Sequence, residues 1–226
     1  MLLTWFTERF LVGTFFRDAF MIVVAPGRLI QSLELDDQSD FNRAMDFIWN
    51  SIKYSIVISL IASMFSMISL SEAVWYGIRI LNFLLAGMLI CIVLPRLGAA
   101  HLKLSDILHI FAYPAGVMII ASSTVFTGLF LSIYLRGEAK EADDVTPGYA
   151  LDQLLDLSAP NNYVLLILPV IATLCAVFFA RSLSIKRDVA MWKSFLALAI
   201  TIPIIMFLTT AILLLELALL DLHFTL

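Results

Sequence analysis

Charge is scarce in this sequence. Asp, Glu, Lys and Arg make up 14% of its 226 residues, against 62% hydrophobic residues, and the mean hydropathy is +0.98. That balance excludes an ordinary soluble domain. Cysteine is nearly missing: Cys91 and Cys175 are the two copies, both inside apolar runs. A thiol buried there behaves as a small hydrophobe, and the pair argues for neither a disulfide nor a zinc site. The formal net charge of −4 is small and spread over loops, which removes the case for nucleic-acid binding. No phosphate-binding glycine loop, HExxH, GxSxG or CxxC pair occurs. No serine–histidine pair or pair of carboxylates at matching depth suits intramembrane hydrolysis. Neither an enzymatic reaction, nor a cofactor, nor a bound metal is expected.

Long apolar runs are what the chain does have. Windows of about 20 apolar residues, the length that crosses roughly 30 Å of hydrocarbon, fall at 52–70, 75–95, 107–133, 162–180 and 194–219. The expected fold is therefore an all-α integral membrane protein with five transmembrane helices. Before them stands MLLTWFTERFLVGTFFRDAFMIVVAPG, which has no basic start and is interrupted by Glu8, Arg9, Arg17 and Asp18, unlike a signal sequence. On a helix, Thr4, Thr7, Glu8, Thr14 and Asp18 share one side, Arg9, Gly13 and Arg17 line up elsewhere, and much of the rest is Phe, Trp and Leu. That pattern predicts an amphipathic helix lying in the membrane interface and stopped near Pro26 and Gly27; a sixth span is the alternative. Residues 1–45 thus read as an interfacial cytoplasmic segment, and 46–226 as the five-helix domain with an acidic outer loop at 136–160.

Basic residues orient the chain. Arg9, Arg17, Arg28, Arg43 and Lys53 precede or open the first span, Arg96 and Lys103 separate the second from the third, and Arg181, Lys186, Arg187 and Lys193 separate the fourth from the fifth. The other side carries Arg79, Arg136 and Lys140. Since Lys and Arg are retained on the cytoplasmic side, the N-terminus is expected inside and the C-terminus outside, in a bacterial inner (cell) membrane. The outer loop is acidic, and Leu151, Leu154 and Leu155 recur there at helical spacing, which predicts a short surface helix; cation capture by Glu141, Asp143 and Asp144 is the sharper alternative, without EF-hand spacing.

Ionisable groups inside spans are costly and so are the first functional candidates. Arg79 and Glu216 fall at outer-leaflet depth, where they either pair across helices, with Asn82 one turn from Arg79, or snorkel separately. Asp106, His109 and Tyr113 share a stripe at the start of the third span, suited to a metal or a proton relay, or simply to an interfacial helix start with Ser105 as N-cap. Within that span Pro114 removes a backbone donor and frees the Ile110 carbonyl, which predicts a kink. Ala112 and Gly116, then Thr124, Gly128 and Ser132, form small-residue tracks that admit a close neighbour. Tyr113, Pro114, Gly116, Ser123, Thr124, Thr127 and Gly128 are accordingly the expected helix-packing or ligand face. With Pro169, Thr201 and Pro203 on later spans, the same pattern leaves room for a lipid or small-ligand pocket between kinked helices.

Three stretches, FRDAFMIVVAPGRLIQSL, HLKLSDILHIFAYPAGVMI and RSLSIKRDVAMWKSFLAL, are similar to the pre-span segment, the inner loop entering a Tyr-then-Pro span, and the basic link into the last span of the Yip family. That family is the Ypt-interacting five-span membrane domain, whose eukaryotic members associate with Rab GTPases. The Asp-Leu-Tyr-Gly-Pro and Gly-Tyr-Gly elements of those members are absent here, so the chain resembles the bacterial type and Rab association does not carry over. The resemblance implies a non-enzymatic scaffold or accessory subunit acting through helix–helix association, with membrane lipids, other membrane proteins or a second copy as partners. The alternative is a carrier or permease subunit that binds a lipid or small apolar molecule between the kinked helices.

Overall fold

The computed structural model describes the backbone of residues 12–64, 70–99, 101–135 and 167–224, and side chains over 15–61, 81–99, 101–125, 127–128, 167–205 and 207–208. These residues form seven helices and no strand: α1 (Val12–Val24), α2 (Pro26–Ser32), α3 (Gln38–Met64), α4 (Leu70–Arg96), α5 (Leu104–Leu135), α6 (Ile167–Arg187) and α7 (Met191–Phe224). The all-helical class expected from the apolar runs is what the backbone adopts. Among the described residues, Leu104–Val125 and Ile167–Arg187 are long and apolar enough to cross a membrane, while Leu81–Arg96 and Met191–Ile205 are shorter apolar stretches.

Local chemistry explains the boundaries. Ala25, at φ −137° and ψ 54°, breaks the helix between α1 and α2, and Pro26 opens α2 at a position where its missing N–H costs nothing. Asp37 starts α3 by accepting both the backbone N–H and the hydroxyl of Ser39, at 2.9 and 2.7 Å. α4 ends two residues before Gly98, whose φ of +88° lies in the left-handed region that glycine enters without strain. α5 starts at Leu104, which puts Ser105 inside its first turn rather than at its cap, and the helix continues through Pro114. Between α6 and α7 only three residues intervene, with Asp188 at φ 54°, a conformation that Asp tolerates better than most side chains.

α3 is longer at its start than the apolar run that announced it. Residues 38–51 are mostly too polar to register as a span, yet they are helical and place Ala44 and Phe47 in the core. The boundary drawn at residue 45 consequently falls inside α3. α5 is central, packing against α3, α6, α4 and α1, while α7 closes the bundle by packing on α4 and α6. One end of the bundle, here the polar end, gathers the short connections 97–103 and 188–190, the α2–α3 link and the starts of α3, α5 and α7. The core divides in two. One cluster joins Phe15, Ile22, Leu29 and Ile30 to Phe47, Tyr113 and Phe178; the other joins Ile90 and Leu94 to Ile107, Phe111, Phe179 and Leu183.

α1 is seated in that first cluster. Phe15, Asp18 and Ile22, at i, i+3 and i+7, are buried, and Phe15 stacks at 5.4 Å on Phe47. Asp18, which the helical wheel put on a polar side, accepts three hydrogen bonds from Arg43, at 3.0, 2.7 and 2.8 Å. The opposite stripe of Phe16, Phe20, Val23 and Val24 is exposed, as is Arg17. α1 thus has an inward face fixed by the bundle and an outward face that remains apolar.

Candidate functional site

The candidate residues of α5 distribute over two faces of the helix. On the first, Gly116 meets α3: a β-carbon there would stand 2.5 Å from Phe47 Cε1 and 2.7 Å from Ser51 Oγ, so only glycine permits the approach. Ser51 turns its hydroxyl onto the Phe47 carbonyl at 2.9 Å, and Tyr113 stacks against Phe47 at 5.4 Å. Higher on the same seam, Ser55 and Ser123 share a hydrogen bond of 2.6 Å. Thr124 donates its proton to the Ile120 carbonyl at 2.8 Å, so the Tyr54 hydroxyl must be the donor in the 3.0 Å contact with Thr124 Oγ1. Tyr113, Gly116, Ser123 and Thr124 are therefore brought together, against α3. Gly128 lies beyond the seam with nothing among the described residues within 4 Å of a β-carbon placed on it, and Thr127 beside it is half-buried.

The second face of α5 carries Pro114. With Ala115 and Phe111 it lines a half-open cavity of about 220 Å³ bordered by α4, α5, α6 and α7. The wall includes Phe83 and Phe179 and is almost wholly apolar, but Thr201 of α7 stands in it, 1% exposed and with no partner for its hydroxyl among the described residues. Cys175 is buried in the same wall, and neither it nor Cys91 forms a disulfide. Gly87 permits α4 to approach this face, since a β-carbon there would meet the Phe111 ring at 3.0 Å.

In the Asp106, His109 and Tyr113 stripe the carboxylate turns away from the two rings. Asp106 turns both oxygens to Arg187, at 2.8 and 3.3 Å. His109 is fully buried between the rings of Phe41 (5.9 Å) and Tyr113 (6.4 Å), and neither of its nitrogens has a hydrogen-bond partner. No group of three His, Cys, Asp or Glu residues able to hold a metal occurs among the described residues.

What the sequence did not reveal is the knot at the polar end. Arg187, the last residue of α6, also holds Asp36 of the α2–α3 link at 2.8 Å, and its carbonyl pairs with His101 Nε2 at 3.0 Å. Its hydrogen bond, and then its charge, hold the Asp36 carboxyl below the ordinary carboxylate value. Lys186 reaches the Gln31 carbonyl at 3.2 Å, and Lys193 the Gly98 carbonyl at 3.3 Å. These residues entered the sequence reading as topological markers; their partners lie 81 to 155 positions away.

Arg79 and Glu216 have side chains outside the described residues, and Asn82 is half-buried on α4. The acidic loop at 136–160, with the helix expected around Leu151, Leu154 and Leu155, also lies outside them.

No family model, no curated protein and no solved structure matches this chain. The likeness to the Yip family consequently has the quoted residues as its only support.

Proposed function

We propose that this chain is a multi-pass membrane protein with five crossings by α3 to α7, its polar end facing the cytoplasm of a bacterial cell and its C-terminus outside. The observation that carries this reading is the inverted placement of side chains. Large apolar groups stand exposed around the bundle, among them Leu60, Met88, Val170, Ile202 and Phe207, the last at 72%. Ser51, Ser55, Ser123, Ser182, Ser194 and Thr201 are buried inside. Water as solvent would select against that arrangement, because each exposed side chain of this size forgoes roughly 1.5–3 kcal/mol of burial. In hydrocarbon the same surface is neutral, and small hydroxylated residues inside let helices approach and bond. The five helices alternate in direction and bring Arg187, Lys186 and Lys193 to one end, the distribution that retention of Lys and Arg in cytoplasmic loops favours. Exposed Phe16 and Phe20 on α1, with Arg17 beside them, suit a helix that is part of the bundle and also touches the membrane interface.

Within that setting the chain acts as a non-enzymatic scaffold or accessory subunit. Since the small-residue face of α5 is filled by α3, association with another membrane protein or a second copy uses the outer faces of α3, α4, α6 and α7. Reporter fusions at the two ends test the topology: the N-terminal reporter is expected inside and the C-terminal one outside, and the same compartment for both overturns it. Detergent-solubilised pull-down tests the role, with a stoichiometric membrane partner or a stable homo-oligomer expected and a monodisperse lone monomer against it.

A further inference from the structure

We propose that the contact of Phe41 with His109 is a pH-sensitive latch, which holds the start of α3 on α5 while the imidazole is neutral and releases it when the imidazole takes up a proton. The device is separate from the accessory role and works for either direction of insertion, since it senses whichever compartment the polar end faces. His109 lies fewer than two turns into α5 and is fully buried. Its ring stands edge to face with Phe41, centroids 5.9 Å apart and planes at 89°, and Tyr113 covers it from one turn further along α5 at 6.4 Å. Neither of its nitrogens has a hydrogen-bond partner among the described residues.

A neutral imidazole sits in this seat as an aromatic ring would, with one donor and one acceptor left unbonded. An imidazolium brings two donors and a full charge, which a surround of rings does not solvate. The carboxylates whose charge reaches it are Asp40 on α3 and Asp106 on α5. Both are engaged elsewhere: Asp40 accepts the Glu34 backbone N–H at 2.8 Å, and Asp106 gives its oxygens to Arg187 of α6. Arg43 of α3 acts on Tyr113 and is held by Asp18 of α1, and the Tyr113 phenol carries no charge in the acidic to neutral range. Water offers the imidazolium hydrogen bonds and a high dielectric, whereas this seat offers attraction without a bond, so proton uptake draws the contact open. The side that yields is α3. Its polar first turns keep their helix mainly through packing, and the opening stops where Gly116 meets Ser51 and Ser55 bonds Ser123.

Hydrogen exchange of the full chain in lipid nanodiscs, expressed as protection factors between about pH 7.5 and pH 3.5, tests the latch. Protection of amides 42–47 is expected to fall about tenfold per pH unit below about pH 6.5, the signature of one proton taken up by an imidazole, while amides 180–186 of α6 keep theirs. His109→Phe or His109→Leu, whichever keeps the wild-type Tm at neutral pH, should remove this dependence without lowering the protection of 42–47 at neutral pH. His101→Gln, at the exposed histidine of the same end, should leave the dependence unchanged. Persistence of the dependence in a folded His109 variant, or its loss in His101→Gln, overturns the proposal. The wild type also decides by itself. A fall that begins only near pH 4 assigns the release to a carboxylate such as Asp40 or Asp36, constant protection of 42–47 throughout denies a latch, and an equal fall in 180–186 shows the bundle loosening as a whole; each of these results overturns it.

Discussion

The two faces of α5 differ in a way that neighbouring residues make plain. Gly116 is pressed against Phe47 and Ser51, while Ala115, the residue before it, opens onto a void. On the α3 face hydroxyls are matched, Ser55 to Ser123 and Tyr54 to Thr124; across the other face Thr201 is unmatched. A helix in a bundle needs one face to be fixed in place, and packing density there leaves no volume to spare. The tight face supplies that registration, and so the loose one is free to hold something else.

The largest test of this contrast compares adjacent substitutions. Gly116→Leu drives four carbons into Phe47 and Ser51, and overpacking of this kind costs about 3 kcal/mol. Ala115→Leu fills open space and is expected to change stability by less than about 1 kcal/mol. Equal losses in denaturant titrations of the two variants would erase the distinction between the faces. Hydroxyl deletion sharpens it at smaller scale. Ser55→Ala should cost about 1 kcal/mol, with a coupling to Ser123→Ala near 0.6 kcal/mol in a double-mutant cycle, the size found for hydrogen bonds between membrane helices. Thr201→Val should cost nothing measurable, since the hydroxyl it removes has no partner. A loss at Thr201 matching that at Ser55 would break the comparison from the other side.

The smallest effect belongs to the polar end, which holds the two faces together. Asp36 has its folded pKa depressed by Arg187, so its contribution is present above the unfolded carboxylate value of about 3.9 and is lost as pH falls through the lower folded value. Thermal melts taken downward from pH 6 should therefore lose stability below about pH 4, and Asp36→Asn should flatten that acid limb while lying slightly below the wild type at neutral pH.

Hydropathy located most of the architecture, because a run of apolar residues reports solvent rather than partners. The expected 107–133 became Leu104–Leu135, and 194–219 became Met191–Phe224. It misjudged the start of α3, where Asn42, Arg43 and Asp46 are too polar to register although one side of the helix still enters the core through Ala44 and Phe47. Spacing also pointed to the α5 residues that meet a neighbour, since a glycine or serine every fourth position is visible in one dimension. Which neighbour they meet was not visible. The pairing of Asp106 with Arg187 and of Asp18 with Arg43 joins residues 81 and 25 positions apart, and no local pattern records such a match. The cavity was anticipated only as room near prolines; its aromatic walls come from three different helices.

The seating of α1 bears on how the chain is assembled during synthesis. Phe15 and Ile22 belong to a cluster completed by Tyr113 on α5 and by Cys175 and Phe178 on α6. A ribosome delivers α1 well over a hundred residues before Phe178 emerges, so its early partners are Arg43 and Phe47 of α3 and the α6 part of its seat comes much later. Its seat is therefore completed in two stages, the Asp18–Arg43 pair and the Phe15–Phe47 ring contact first and the Cys175 and Phe178 wall afterwards.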